Sequence, residues 1–256
     1  MTHFPLGRRP RTRDPRFPHL SALLAGKSTQ APASVNWAAR MPGQLGMLGN
    51  DQWGDCAEAG FEHARQVWSF NATGSMADIT TTETLALYSA ATGFVEADGP
   101  PGSNSTDQGT VLQALLAYLV KTGQLFATIE IDPLRSDHID LATFEGGLVY
   151  LGMEVPAYAQ DALDTLGSTL QLAPAGADAS VVGGHCIITC GYQPGQRQFT
   201  SYGCPTYAMT DQYWAKWVDE AYVLLSTEWL ERNGKTFAGY TMAQLDQQME
   251  AVRRAA

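Results

Sequence analysis

Residues 49–56 read GNDQWGDC, and residues 57–68 continue AEAGFEHARQVW. The first run is rich in Gly, Asn and Asp, which favour turns, whereas the second has the composition of a helix. Phe61, Ala64 and Trp68 fall at helical spacing and make one apolar stripe. The sequence therefore predicts a turn that delivers Cys56 to the start of a helix over 56–70.

Cys56 is the candidate nucleophile of the chain. At the N-terminus of a helix, free backbone N–H groups and the macrodipole favour negative charge, so the thiolate of Cys56 should form more easily. The thiolate is the nucleophilic form of cysteine. The alternative interpretation is an inert core thiol, since free cysteine is among the most buried residue types.

The composition of the 256 residues argues against several classes of protein. Apolar residues make up 45% of the chain, which is enough for a sizeable core. Apolar runs are much shorter than the ~18 residues of a membrane span, and the N-terminal stretch lacks the apolar segment of a signal peptide. The formal charge of −10 argues against nucleic acid as the main ligand. We therefore expect no membrane or nucleic-acid partner, and a cytoplasmic location.

Residues 1–34 differ in composition from the rest of the chain. They hold five prolines, and residues 1–26 carry five arginines against one acidic residue, Asp14. This segment is therefore at +4 and the remainder at −14. A basic, Pro-rich arm could contact an acidic partner, a phosphate backbone or the protein's own acidic surface, or keep no fixed structure. We expect an extended arm over 1–34 with one helical turn near 21–24.

The rest of the chain reads as helices followed by strands. Helices are predicted at 56–70, 82–91, 109–122, 137–145, 210–218 and 242–254, and strands or buried runs at 127–132, 147–156, 181–192, 198–202 and 221–226. Thr80-x-x-Glu83 and Thr241-x-x-Gln244 have the spacing of capping boxes. Residues 157–176 are polar and show little periodicity, and Cys204 is expected in a loop. This order predicts an α+β fold with two lobes.

Four cysteines, Cys56, Cys186, Cys190 and Cys204, are sparse for a disulfide scaffold, so we expect reduced thiols. A zinc site formed by His185 with Cys186 and Cys190 is a weak alternative. In a strand, residues 186 and 190 share a face and residue 185 points the other way. We expect no metal and no cofactor.

The other groups that a thiol nucleophile needs are present in the sequence. Such chemistry requires a base near the sulfur, a group that orients the base, and donors for the oxyanion. His185 is the best base, because it follows two glycines and opens an apolar strand. Thr200 or Ser201, on the returning strand, could reach its far ring nitrogen. Asn50 could offer its amide beside the backbone N–H of Cys56 as an oxyanion hole.

These residues resemble the motifs of the papain-like cysteine peptidase superfamily. In that family a Gln or Asn six residues before the cysteine donates to the oxyanion, and Asn50 matches that position. The histidine opening a strand that ends in Gly-Tyr is matched by His185. An Asn-Ser-Trp-Gly segment supplies the group that orients the imidazole, and this chain reads Thr200-Ser201-Tyr202-Gly203 there. The resemblance thus gives the orienting role to Thr200 in place of Asn.

The resemblance also implies an architecture and a substrate site. It implies a helical lobe over 35–125 against a β-rich lobe over 126–230, with a cleft between them and a helical extension over 231–256. Asp107-Gln108-Gly109 is similar in placement to the family's Gly-rich substrate-binding segment. We expect Gln108, Gly109 and Gly184 to line the substrate site, together with Trp53, which could instead pack the turn.

By this resemblance the chain is a cysteine hydrolase that cleaves a peptide or isopeptide amide in a peptide or protein substrate. The run before Cys56 looks most like papain-fold proteins encoded by bacteriophages and their hosts. One alternative is a weakly active or inactive papain-fold binding protein, for example a phage virion component whose arm contacts other subunits. In that case its location would be virion-associated. Another is a transglutaminase-type acyltransferase that uses an amine acceptor.

Overall fold

The computed structural model describes residues 3–27, 30–232 and 236–254. Within these ranges the helices are α1 (Leu20–Leu23), α2 (Cys56–Thr73), α3 (Thr81–Thr92), α4 (Leu112–Lys121), α5 (Ser136–Gly146), α6 (Ala157–Asp164), α7 (Asp211–Trp217), α8 (Thr227–Arg232) and α9 (Met242–Arg253), with a 3-10 turn at Glu96–Asp98. The strands are β1 (Val35–Asn36), β2 (Ala127–Ile131), β3 (Val149–Pro156), β4 (Thr169–Leu170), β5 (Val181–Gln193), β6 (Gln196–Ser201), β7 (Cys204–Thr210), β8 (Val218–Leu225), β9 (Thr236–Phe237) and β10 (Tyr240–Thr241).

One large sheet organises the strand-rich half of the chain. Its order is β2-β8-β3-β5-β6-β7-β4, and the short β1 also pairs with β5. Every pairing in it is antiparallel except that of β4 with β7. The strands predicted at 181–192 and 198–202 form the hairpin of β5 and β6. The smaller sheet pairs β9 with β10.

The long helix α2 packs across the central strand β5. The closest approach is at Gly60, where a β-carbon would lie 3.3 Å from the ring of Tyr150 and 3.5 Å from the sulfur of Cys186. Phe61, Ala64 and Trp68, the predicted stripe, are all buried. The helix therefore begins at Cys56 with its apolar face against the sheet, as the sequence predicts.

Local sequence signals account for the starts of two other helices. The capping boxes at Thr80 with Glu83 and at Thr241 with Gln244 are both formed, at the starts of α3 and α9. Each satisfies backbone N–H groups that the first helical turn leaves without partners. Both predictions are confirmed.

The segment 157–176, for which the sequence predicts no element, contains α6 and β4. The prediction that Cys204 lies in a loop is wrong, because Cys204 opens strand β7. The second residue of β7 is Pro205, and a proline near the start of a strand does little to interrupt its ladder. Predicted helix 109–122 begins only at Leu112.

The N-terminal arm packs on the body of the protein. Phe17, Leu20 and Leu23 are buried in the main core, and Phe17 meets the ring of Tyr222 at 6.2 Å between centroids. The backbone N–H of Glu130 in β2 donates to the carbonyl of Pro18 at 2.8 Å. Of the partners predicted for the basic arm, the structure shows the protein's own acidic surface, which Arg8 and Arg11 contact at Glu220 and Glu130.

Two features of the described residues bear on partners. None of their helices combines the length and the apolar composition that crossing a membrane requires. Within the same ranges, no three His, Cys, Asp or Glu side chains come together in a group suited to a metal ion.

Candidate active site

Cys56 lies where the N-terminus of α2 meets the start of β5. Its Sγ accepts a hydrogen bond from the backbone N–H of Cys186 at 3.4 Å. Because consecutive Cα atoms are about 3.8 Å apart, this contact brings the sulfur to the backbone next to His185. Cys56 thus lies beside the backbone next to His185, although the two residues are far apart in the sequence.

The imidazole of His185 is held by a hydroxyl from the neighbouring hairpin. Its Nε2 lies 2.7 Å from Ser201 Oγ. The Thr200 hydroxyl instead faces the sulfur of Cys190 at 3.7 Å, so the expectation that Thr200 reaches the imidazole is wrong. Successive residues of a strand point to opposite faces, so Thr200 and Ser201 of β6 cannot both face the imidazole.

Tyr202 covers one side of the imidazole. Its ring stacks on that of His185, with centroids 4.8 Å apart and an 18° angle between the planes. Tyr202 and Gly203 form the two-residue loop between β6 and β7, with φ of 46° and 67°. Positive φ at both positions is the mark of a type I′ hairpin. A positive φ is rare for an aromatic residue such as Tyr202, and backbone strain of this kind is concentrated at functional sites.

The turn before Cys56 holds Asn50 and Trp53 in different environments. The Asn50 side chain is buried and donates to the carbonyl of Trp53 at 3.4 Å, inside the turn that leads to Cys56. Trp53 is 5% exposed and packs on Phe94, with ring centroids 5.0 Å apart, in a small cluster with Leu85 and Tyr88. The contacts of Trp53 are thus core contacts.

One wall of the cleft is built around Asp107. Its carboxylate accepts from the backbone N–H of Gly54 at 3.0 Å and from the hydroxyl of Tyr88 at 2.8 Å. The same hydroxyl accepts from the N–H of Gly109 at 2.8 Å. Asp107 therefore ties the turn before Cys56 to the predicted substrate-binding segment. Gln108, in that segment, is exposed and donates to the carbonyl of Ser105.

The N-terminal arm occupies this cleft. Gly7 lies between Gly54 and Gly109, so closely that a β-carbon built on Gly7 would overlap the Gly54 carbonyl. The Gly7 carbonyl accepts from the N–H of Thr110 at 2.8 Å, and the N–H of Arg9 donates to the Thr110 carbonyl at 2.9 Å. Only glycine fits the arm at position 7 without a shift of the backbone.

The opposite wall of the cleft is the start of β5. The N–H of Arg8 donates to the carbonyl of Gly184 at 3.0 Å, and a β-carbon on Gly184 would lie 2.6 Å from the Arg8 carbonyl oxygen. Leu6 covers Gly183 in the same way. The predicted residues Gly109 and Gly184 thus line a cleft that holds a peptide segment, supplied by the chain itself.

The comparison with solved structures matches this geometry to a known architecture. Xylellain, a cysteine protease from Xylella fastidiosa, is similar over 88% of this chain and 97% of its own, with a TM-score of 0.54 and 11% identity. The chain has the papain-like cysteine protease fold. Procathepsin B S9 from Trypanosoma congolense is also similar (TM-score 0.52, 11% identity, 86% of this chain and 85% of that one).

A third similar structure is the cysteine protease Amb a 11, a ragweed pollen allergen, in its proform. It shows a TM-score of 0.52 and 10% identity over 80% of this chain and 70% of that one. No protein-family model and no curated protein sequence matches the chain. At this level of identity the likeness establishes the papain-like fold alone.

Within this papain-like fold the two candidate catalytic side chains are closed off from solvent. Cys56 is 1% exposed and His185 0%. Burial raises the pKa of Cys56 to about 12, against the opposing effect of the N–H groups of Cys186 and Gly7. Burial lowers the pKa of His185 to about 3. Both side chains are therefore neutral at pH 7. The helix terminus is expected to favour the thiolate, but beneath the arm the loss of solvent outweighs it.

Two carboxyl groups of α2 and its cap lie beside the sulfur. Burial raises the pKa of Glu58 to about 8, while its carboxylate accepts from the Thr110 hydroxyl at 2.8 Å. Burial, and then the charge of Glu58, raise the pKa of Asp55 well above its usual value. Sequence reasoning missed both groups, because an acidic residue early in a helix is ordinarily a solvated, helix-stabilising residue.

Proposed function

We propose that the protein is a cysteine hydrolase of peptide or isopeptide amides, with Cys56 as nucleophile and His185 as its base. The observation that supports this proposal is the hydrogen bond from Cys186 N–H to Cys56 Sγ, which brings the sulfur to the backbone that follows His185. His185 Nδ1 is buried and has no hydrogen-bond partner among the described residues. In this proposal His185 Nδ1 accepts the proton of the Cys56 thiol.

The chemistry proceeds in two halves. His185 takes the thiol proton, and Cys56 Sγ attacks the amide carbonyl carbon. Collapse of the tetrahedral adduct breaks the C–N bond, and the departing amine takes the proton from His185. A thioester remains, which water hydrolyses with His185 as base, releasing the acid and restoring the thiol.

Each neighbouring group has a role in this scheme. Ser201 accepts from, or donates to, Nε2 and holds the ring in orientation, as an orienting group must for the base to work. The N–H of Cys56 and the amide of Asn50 are proposed as oxyanion donors. For Asn50 this requires its amide to turn away from the Trp53 carbonyl, which it contacts at 3.4 Å.

In this proposal the protein is a latent enzyme whose cleft is filled by its own arm. The support is geometric, because Gly7 and Arg8 hydrogen bond to both walls of the cleft beside the sulfur. Substrate and arm therefore compete for one site. The arm must leave before Cys56 can react.

The experiment uses the 256-residue chain with Gly7→Val, whose side chain cannot fit beside Gly54. The variant is incubated with a mixture of peptides of known sequence, and products are mapped by mass spectrometry. Cleavage by Gly7→Val that disappears in Gly7→Val/Cys56→Ala supports the proposal. Cleavage that survives the loss of Cys56, or no cleavage by a variant with a displaced arm, contradicts it.

A second candidate is a papain-fold binding protein without hydrolase activity. The neutral, buried state of Cys56 and His185 favours it. In that case the arm is a permanent part of the fold, and Gly7→Val would destabilise the protein without making Cys56 reactive. The same variant therefore separates the two candidates.

A further inference from the structure

Arg8 points its side chain into a pocket of the cleft. Its side chain is only 2% exposed. Nε donates to Glu220 Oε1 at 2.6 Å, and Nη2 donates to Asp219 Oδ2 at 2.5 Å. Two carboxylates on β8 thus receive two edges of one guanidinium, an arrangement that suits the planar fork of arginine better than the point charge of lysine.

The pocket is built independently of the arm. Glu220 is 1% exposed, and the hydroxyl of Tyr222 donates to its second oxygen at 2.8 Å. Gly152, on β3, has no side chain and so provides the space for the Arg8 side chain. A β-carbon there would lie 2.7 Å from Glu220 Oε1 and overlap the Arg8 side chain. An anionic group is therefore fixed at the bottom of a space that a glycine keeps open.

Removal of the arm would leave the buried carboxylate of Glu220 without its cationic partner, because breaking a buried ion pair leaves an uncompensated charge. A cationic side chain of a substrate could replace Arg8 there. Arg8, which fills the pocket, is the residue after Gly7, and the N–H of Gly7 faces Cys56 Sγ. A peptide in the cleft would therefore place a side chain in this pocket from a position close to the bond that is cleaved.

We propose that the pocket formed by Asp219, Glu220 and Gly152 is the specificity subsite of the enzyme and takes an arginine side chain of the substrate. This inference rests on the proposed hydrolase function. It goes further by naming a substrate class: peptides with arginine within two residues of the cleaved bond. In the arm-bound state, Arg8 of the chain itself fills the subsite that a substrate arginine would otherwise fill.

The test uses the 256-residue chain with Gly7→Val/Arg8→Ala, which removes the Arg8 side chain from the pocket, and a peptide mixture randomised around the cleavage site. Arginine should be enriched about tenfold or more at one position near the cut, since a buried charge pair discriminates strongly. Glu220→Gln, which keeps the bond to Tyr222, should abolish the enrichment. Glu154→Gln is the matched control, because Glu154 lines the adjoining groove but is exposed. Asp219→Asn, at the rim, should weaken the enrichment if Glu220→Gln fails to fold.

Cleavage without enrichment of arginine, or enrichment that persists in Glu220→Gln, overturns the subsite and leaves the hydrolase intact. A binding measurement covers the case without cleavage: the Cys56→Ala form of the same variant is dialysed against the mixture. Selective retention of arginine peptides that depends on Glu220 supports the pocket while the hydrolase proposal fails. Absence of such retention overturns the pocket as well.

Discussion

Ser201 Oγ lies 2.7 Å from His185 Nε2, and this contact decides which hydroxyl orients the imidazole. Thr200, one residue earlier, faces Cys190. In the Gly7→Val background, Ser201→Ala should lower the rate of peptide cleavage by about ten- to a hundredfold, because the ring loses its orienting partner. Thr200→Val should change the rate less than about threefold.

The pH profile of cleavage separates this role from general stability. Loss of Ser201 should also shift the acidic limb of the profile, since it alters the environment of His185. A destabilised but correctly oriented site would lower the amount of active enzyme and leave the limb in place. Equal effects of Ser201→Ala and Thr200→Val on rate would contradict the assignment.

The arm should leave the cleft without unfolding the rest of the N-terminal segment. The amides of Arg8, Arg9 and Thr110 are hydrogen bonded between arm and cleft, whereas Phe17 and Leu20 are core residues. Gly7→Val should therefore raise hydrogen exchange at those three amides by about a hundredfold or more. Exchange around Leu20 to Leu24 should stay slow.

The control for the arm is Arg13→Val, which introduces the same side chain at an exposed arm position. It should leave exchange at Arg8, Arg9 and Thr110 as in the wild type. Faster exchange throughout residues 3–24 in Gly7→Val would show that the arm detaches as a whole, and a local release at the cleft would then be wrong.

Glu58 should make the protein less stable as pH rises. Its pKa of about 8 in the folded state exceeds the ~4.3 of an unfolded chain. Between these values the folded state binds more protons, so the free energy of unfolding falls with increasing pH. Full titration of one such group corresponds to roughly 5 kcal/mol.

Urea unfolding from pH 4.5 to 8.5 measures this effect. Glu58→Gln can keep a hydrogen bond with Thr110 but does not ionise, so its stability should decline less over that range. Glu154→Gln, at an exposed position, should leave the decline unchanged. A wild-type stability that rises steadily across this window would exclude a neutral Glu58.

Much of this site follows from local sequence. The turn at 49–55 and the apolar stripe of α2 are short-range patterns, and they predict where Cys56 falls. The Gly-rich start of β5 likewise marks His185. The exchange of Thr200 for Ser201 is different in kind, because it depends on which face of β6 meets His185. A shift of one residue in strand pairing moves every side chain to the other face, and no local pattern records the register.

The closed state of the site was equally beyond local patterns. Gly7 and Gly184 are far apart in sequence. Gly184 is predicted to line the substrate site, whereas nothing in the local sequence around Gly7 places it there. Their meaning comes from the close approach of two backbones in space. The arginines of the arm likewise leave open an acidic partner, a phosphate backbone or the protein's own acidic surface. The contact between Arg8 and Glu220, near the other end of the chain, distinguishes among them only in the folded structure.

The measurement that tests the central claim most directly is the rate at which iodoacetamide alkylates Cys56 at pH 6, by peptide mapping. Wild type should react slowly, because the thiol is buried and neutral. Gly7→Val should react at least about a hundredfold faster at Cys56 than at the three core cysteines, through a thiolate paired with the imidazolium, and His185→Ala should remove that gain. Slow labelling of Cys56 in Gly7→Val, or fast labelling that persists in Gly7→Val/His185→Ala, would contradict the claim that Cys56 and His185 form a reactive pair beneath the arm.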